Sequence, residues 1–164
     1  YGQKGKILEA IRHFTKASEL APNQPLYYHN LAAMLFAYPD QAARYYLIDR
    51  SKVVPKVLLL FEKARVLDPK NFTLATDTAM VHLATRPFDA KEAINAWNNA
   101  LLLAPDSRTK EGVRIHLARI HAHIGEVKIA RKLLGDVREP KFSELKEEIL
   151  KKINSSPKPA SAMP

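Results

Sequence analysis

The chain has 164 residues, 46% of them apolar, with five glycines, no cysteine and a net charge of +9. This is enough length for one domain with a core once its parts stack, and the missing cysteine excludes disulfides, thiolate metal sites and a cysteine nucleophile. Scarce glycine and few alternating β-branched runs favour helix over sheet. No apolar stretch reaches the roughly 20 residues that span a bilayer; the longest, 53–61, is interrupted by Pro55 and Lys56. The compartment is left open by the sequence, with a soluble, cytoplasmic setting as the expectation. The chain opens on Tyr1 rather than Met, so it reads as a fragment whose true start is missing.

The first amphipathic run closes on Ala17-Ser-Glu-Leu-Ala-Pro22. The same ending, Ala-x-x-Leu-x-Pro, returns at Ala64–Pro69 and Ala100–Pro105, each with an aromatic three residues ahead of the Ala: Phe14, Phe61 and Trp97. Proline cannot continue a helix and pushes the residue before it out of the α region. Each Pro therefore marks a helix end and sets the start of the next helix. A recurring unit that cannot bury its apolar face alone stacks on its neighbours, which makes a helical solenoid. The predicted repeat domain covers 1–153, in units of 1–22 (partial), 23–69, 70–105 and 106–138 with a cap at 141–153. A flexible tail is expected over 154–164.

In the second unit, Tyr28, Leu31, Ala32 and Leu35 mark a first helix, and Val57, Phe61 and Ala64 a second. Pro22 and Pro69 lie 47 residues apart, against 36 for Pro69 and Pro105. The excess falls in an insertion over 38–51. Asp40 is predicted to cap a short helix running through Leu47, and Asp49 or Ser51 the helix after it. Tyr45, Tyr46, Leu47 and Ile48 are expected to fold back as packing, with a partner-binding role as the alternative. The third unit supplies Ala79 and His82, then Ala93, Trp97 and Ala100. The fourth supplies Leu117, Ala118 and His121, a turn at Gly125, then Ala130 and Leu134. Beyond it, Phe142, Leu145, Ile149, Leu150 and Ile153 recur at helical spacing with charges between them, as expected of a helix that caps the last repeat.

Over roughly residues 1–137 these letters resemble the tetratricopeptide repeat family. The opening matches the second half of such a repeat, with Tyr1, Gly5 in the turn, Ala10, Phe14 and Ala17. The resemblance implies an all-α, right-handed solenoid of helix-turn-helix repeats with a C-terminal capping helix. It also implies a scaffold or adaptor that binds a protein or peptide partner. In this family the first helix of each repeat lines a concave groove. The matching positions are Leu26, His29, Ala33 and Phe36, then Thr73, Thr76, Met80 and Leu83, then Ile115, Arg119, Ala122 and His123. Such a groove, apolar at one end and basic at the other, suits an amphipathic helix or an extended peptide with an acidic portion. The family's carboxylate clamp is not matched: Asn30 fits one position, but Ala75, Thr76, Asp77 and Gly112 do not complete it, and Asp77 would repel a carboxylate.

Little points to catalysis. His116 and His123 are seven residues apart, about 10.5 Å along a helix, and His121 lies on another face, where packing is its natural role. No pair has the spacing to hold one metal, and no phosphate loop, nucleophile elbow or dinucleotide fingerprint is present. No enzyme activity, metal or cofactor is expected. The charge is uneven: residues 108–138 carry eight basic groups against three acidic ones, whereas 39–107 carry nine against eight. An alternative reading is thus nucleic-acid or acidic-ligand binding through the 108–138 surface. Aromatics do not interleave with those basic residues, which removes a stacking platform for single strands. A third reading makes the chain a substrate-recruiting or assembly arm of a larger enzyme or membrane complex, and a homo-oligomer is compatible with each.

Overall fold

The structure, a computed structural model, describes residues 2–155, and its regular elements are all helical. The helices are α1 (Gly2–Leu20), α2 (Pro25–Ala37), α3 (Pro39–Tyr46), α4 (Val53–Leu67), α5 (Phe72–Ala84), α6 (Ala90–Leu103), α7 (Ser107–His123), α8 (Val127–Gly135) and α9 (Ser143–Ser155). Short 3-10 turns at Arg50–Lys52 and Pro140–Phe142 lead into α4 and α9. None of the described helices is long and apolar enough to cross a membrane.

The three shared endings act as the proline argument requires. Helices α1, α4 and α6 stop at Leu20, Leu67 and Leu103, each two residues before its Pro. The next helices then start two or three residues after that Pro. Side chains secure two of these starts: Asn71 Oδ1 accepts from the Leu74 N–H at 3.1 Å, and Asp106 Oδ1 from the Thr109 N–H at 2.7 Å.

Gly5, expected in a turn, instead lies inside α1. A helical glycine costs only about 1 kcal/mol relative to alanine, so the amphipathic run around it prevails. Asp40 does not cap α3 either. The helix begins one residue earlier with Pro39 in its first turn, and Asp40 pairs with Arg50 at 2.6 Å. No side chain caps the turn after Asp49. Asn154 and Ser155, assigned to the tail, form the end of α9; Tyr1 and the rest of that tail lie outside the described residues.

The chain divides into two compact units, Tyr1–Asp89 and Ala90–Pro164, with the division between α5 and α6. The expected 70–105 repeat is thus shared between them. Within the first unit, α1 packs on α2, α2 on α4 and α4 on α5. Ile11, Leu31, Leu35, Val57 and Phe61 fill the space between them, and Ala32 and Ala64 are wholly buried, letting backbones approach. Each large side chain buried this way contributes about 1.5–3 kcal/mol.

The insertion folds onto this core through α3, which contacts α1, α2 and α4. Ala42 and Ala43 are buried; Tyr45, Tyr46 and Ile48 are half-buried against the core. Tyr46 Oη lies 2.8 Å from Thr15 Oγ1, and the Lys56 ammonium sits 4.0 Å above the Tyr46 ring. Burial pushes the Tyr46 phenol above its ordinary pKa. Leu47 departs from the expected packing: it ends α3 in the left-handed region, φ 52°, and is 92% exposed.

In the second unit, α6 packs on α7, α7 on α8, and α9 against both α7 and α8. The α7–α8 turn is made by Gly125, φ +81°, and braced by a 2.5 Å contact between His121 Nδ1 and Glu126 Oε2. Trp97 stacks on His116 with centroids 4.1 Å apart and planes 9° from parallel. Trp97 Nε1 and His116 Nδ1 are buried with no hydrogen-bond partner among the described residues. Burial, helped by the Arg119 charge, lowers the His116 pKa to about 4.

The capping helix is seated in three ways. Ile149 and Ile153 join Ile115, Ala118, Ala130 and Leu134 in one cluster. The Phe142 ring lies over Gly112, where a β-carbon would come within 3.1 Å of Cζ. In the segment before α9, the Arg138 and Glu139 N–H groups both donate to Glu111 Oε2, at 2.9 and 2.6 Å. Those two bonds hold the Glu111 carboxyl below its ordinary pKa.

Candidate partner-binding face

Helices α2 and α5 are neighbours in the first unit and carry eight of the twelve groove positions. On α2, Leu26, His29, Ala33 and Phe36 follow helical spacing and share a face. Leu26 and Ala33 are exposed, and His29 and Phe36 are half-buried. Thr73, Thr76, Met80 and Leu83 share a face of α5 in the same way. Thr73 and Met80 are exposed, Thr76 and Leu83 half-buried. The Thr76 hydroxyl is occupied internally, donating to the Phe72 and Thr73 carbonyls at 3.2 and 2.9 Å.

His29 joins the two helices. Its Nε2 lies 2.6 Å from Asp77 Oδ2, and its ring leans on Phe61 of α4 with centroids 5.8 Å apart. The aromatic contact fixes the imidazole on one side, so the imidazole in turn fixes the Asp77 carboxylate on α5. The Asp77 side chain remains 41% exposed.

The α7 positions divide differently. Arg119 and His123 are exposed and Ala122 is half-buried against the second-unit core. Ile115 is only 2% exposed and sits in the cluster with Ile149 and Ile153. It therefore leaves the set of accessible groove residues, because the helix that caps α7 buries the same side chain that the repeat pattern turns outward.

The basic segment 108–138 is engaged at several separate points. Arg108 pairs with Glu139 at 3.2 Å, Arg114 with Asp136 at 4.0 Å, and Arg131 donates to Asn154 Oδ1 at 2.5 Å. Lys128 and Lys132 are exposed on α8. No group of three or more metal-ligating side chains occurs among the described residues.

Asp77 was missed as a site residue by the repeat pattern, which brings it forward only as a group that would repel a carboxylate. A signal for it is nevertheless present: it is the sole Asp, Glu, Lys or Arg in α2 and α5 together. Compared with models of protein families and with curated proteins, the chain matched none.

Proposed function

We propose that this chain is a tetratricopeptide-like repeat module that holds a peptide or helix of a partner protein against the α2–α5 face, and that it recruits rather than catalyses. The reading is supported above all by the pairing of exposed Leu26, Ala33 and Met80 with a cross-helix His29–Asp77 contact. The apolar groups provide area to bury, and the contact keeps the two helices in register. A face prepared in this way leaves most of the ordering cost to the flexible partner, which gives affinities near micromolar, about −8 kcal/mol.

The experiment is a pull-down from native lysate at low and high salt, with Ala33→Glu and Met80→Glu variants alongside. A discrete protein retained at high salt and lost from both variants is the expected result. Retained material that absorbs at 260 nm, leaves with salt and is indifferent to these substitutions would instead mark phosphate binding by the basic segment and overturn the proposal.

A further inference from the structure

The chain carries 26 Lys and Arg residues, yet none lies in α2 or α5. The two helices that form the candidate face therefore lack Lys and Arg altogether, and the one Asp or Glu they carry is Asp77. His29 takes one oxygen of that carboxylate. An ionised carboxylate accepts more than one hydrogen bond, and the 41% exposure of Asp77 leaves it able to do so.

A partner that lays apolar side chains over Ala33 and Met80 also removes water from Asp77. Covering an ionised carboxylate without a counter-charge is strongly unfavourable. Neither α2 nor α5 carries a Lys or Arg to offset that loss. The partner must supply it.

We infer that the α2–α5 face selects a segment whose apolar stripe is interrupted by one Lys or Arg, and that this cation pairs with Asp77. The inference rests on the interaction-module reading and adds the chemistry of its partner. It also differs from the acidic partner that the basic fourth repeat suggests. Here the attraction is local and of opposite sign, and a carboxylate partner is repelled. His29 positions the carboxylate by holding Oδ2, so the incoming ammonium or guanidinium meets a preset acceptor.

The test uses a displayed library of helical peptides with a Leu stripe and one randomised position in the centre of that stripe. With the parent protein, Lys and Arg are expected to be enriched at that position. Asp77→Asn retains an oxygen for His29 and is expected to melt like the parent while binding the enriched peptide roughly 3- to 10-fold more weakly. Asp77→Lys is expected to switch the enrichment to Asp and Glu.

Enrichment of neutral residues, with binding still lost in Met80→Glu, overturns the cation and leaves the interaction reading standing. A library that yields no binder, or binders indifferent to both Ala33→Glu and Met80→Glu, removes the interaction reading and the cation together.

Discussion

Trp97 is the largest buried side chain among the described residues of the second unit. It is 2% exposed and stacks flat on His116. Trp97→Ala leaves a cavity that the facing imidazole is too small to fill, and a loss of about 3–5 kcal/mol is expected in urea unfolding. His116 brings a pH dependence of its own. Its pKa falls from an ordinary 6.5 to about 4 in the folded chain, so below pH 6.5 the unfolded state takes up a proton that the folded state refuses. This part of the stability is complete above pH 6.5 and declines as pH falls toward 4. At 1.36 kcal/mol per unit the loss is at most about 3 kcal/mol, and less because solvent still reaches part of the ring. His116→Phe keeps the stack without the titration; its melting temperature should vary less with pH over this window. Trp97 is visible in the sequence as the aromatic of a repeated ending. The stack on His116 is not, since it depends on the rotation of α6 against α7.

Among the elements, α3 shows both what the chain announces and what it conceals. The spacing of the prolines exposes an insertion, and the aromatic pair within it indicates packing. Its boundaries are hidden because Pro39 starts the helix without a side-chain cap, and Asp40 finds Arg50 instead. Leu47 closes α3 at φ 52° with almost all of its surface in solvent. A branched side chain in that region is strained by about 1 kcal/mol or more, and glycine is free of this. Leu47→Gly should therefore raise stability by about 0.5–1 kcal/mol, read from the denaturation midpoint at unchanged slope. A loss would mean that Leu47 contributes contacts its exposure does not suggest. The helix ends at Leu20, Leu67 and Leu103 were legible for the opposite reason: proline acts through the backbone and needs no tertiary partner.

At the scale of the molecule, the helical class and a repeating pattern of paired helix contacts were legible from the recurring Ala-x-x-Leu-x-Pro endings. The division between α5 and α6 was not, because the repeat pattern runs through it unchanged. The charge distribution was legible in count but not in consequence. Residues 108–138 are rich in cations, and folding gives Arg108 and Arg114 acidic neighbours while α2 and α5 remain without any cation. The His29–Asp77 contact spans 48 residues, a separation at which no local rule operates. Only the sequence signal of an isolated charge could have drawn attention to it.

One carboxylate also ties the α9 cap to the pH of its surroundings. Glu111 accepts both amides of the segment leading to α9, and its lowered pKa means that the bonds persist below the ordinary range for a carboxyl. Once it is protonated, those amides lose an ionic acceptor while the buried isoleucines of α9 are still in place. Hydrogen exchange at stepwise lower pH should thus show the Arg138 and Glu139 amides, with their protection corrected for intrinsic rates, opening before the α7 amides beneath Ile149. Protonation of Glu111 thus loosens the α9 cap ahead of the helix it covers.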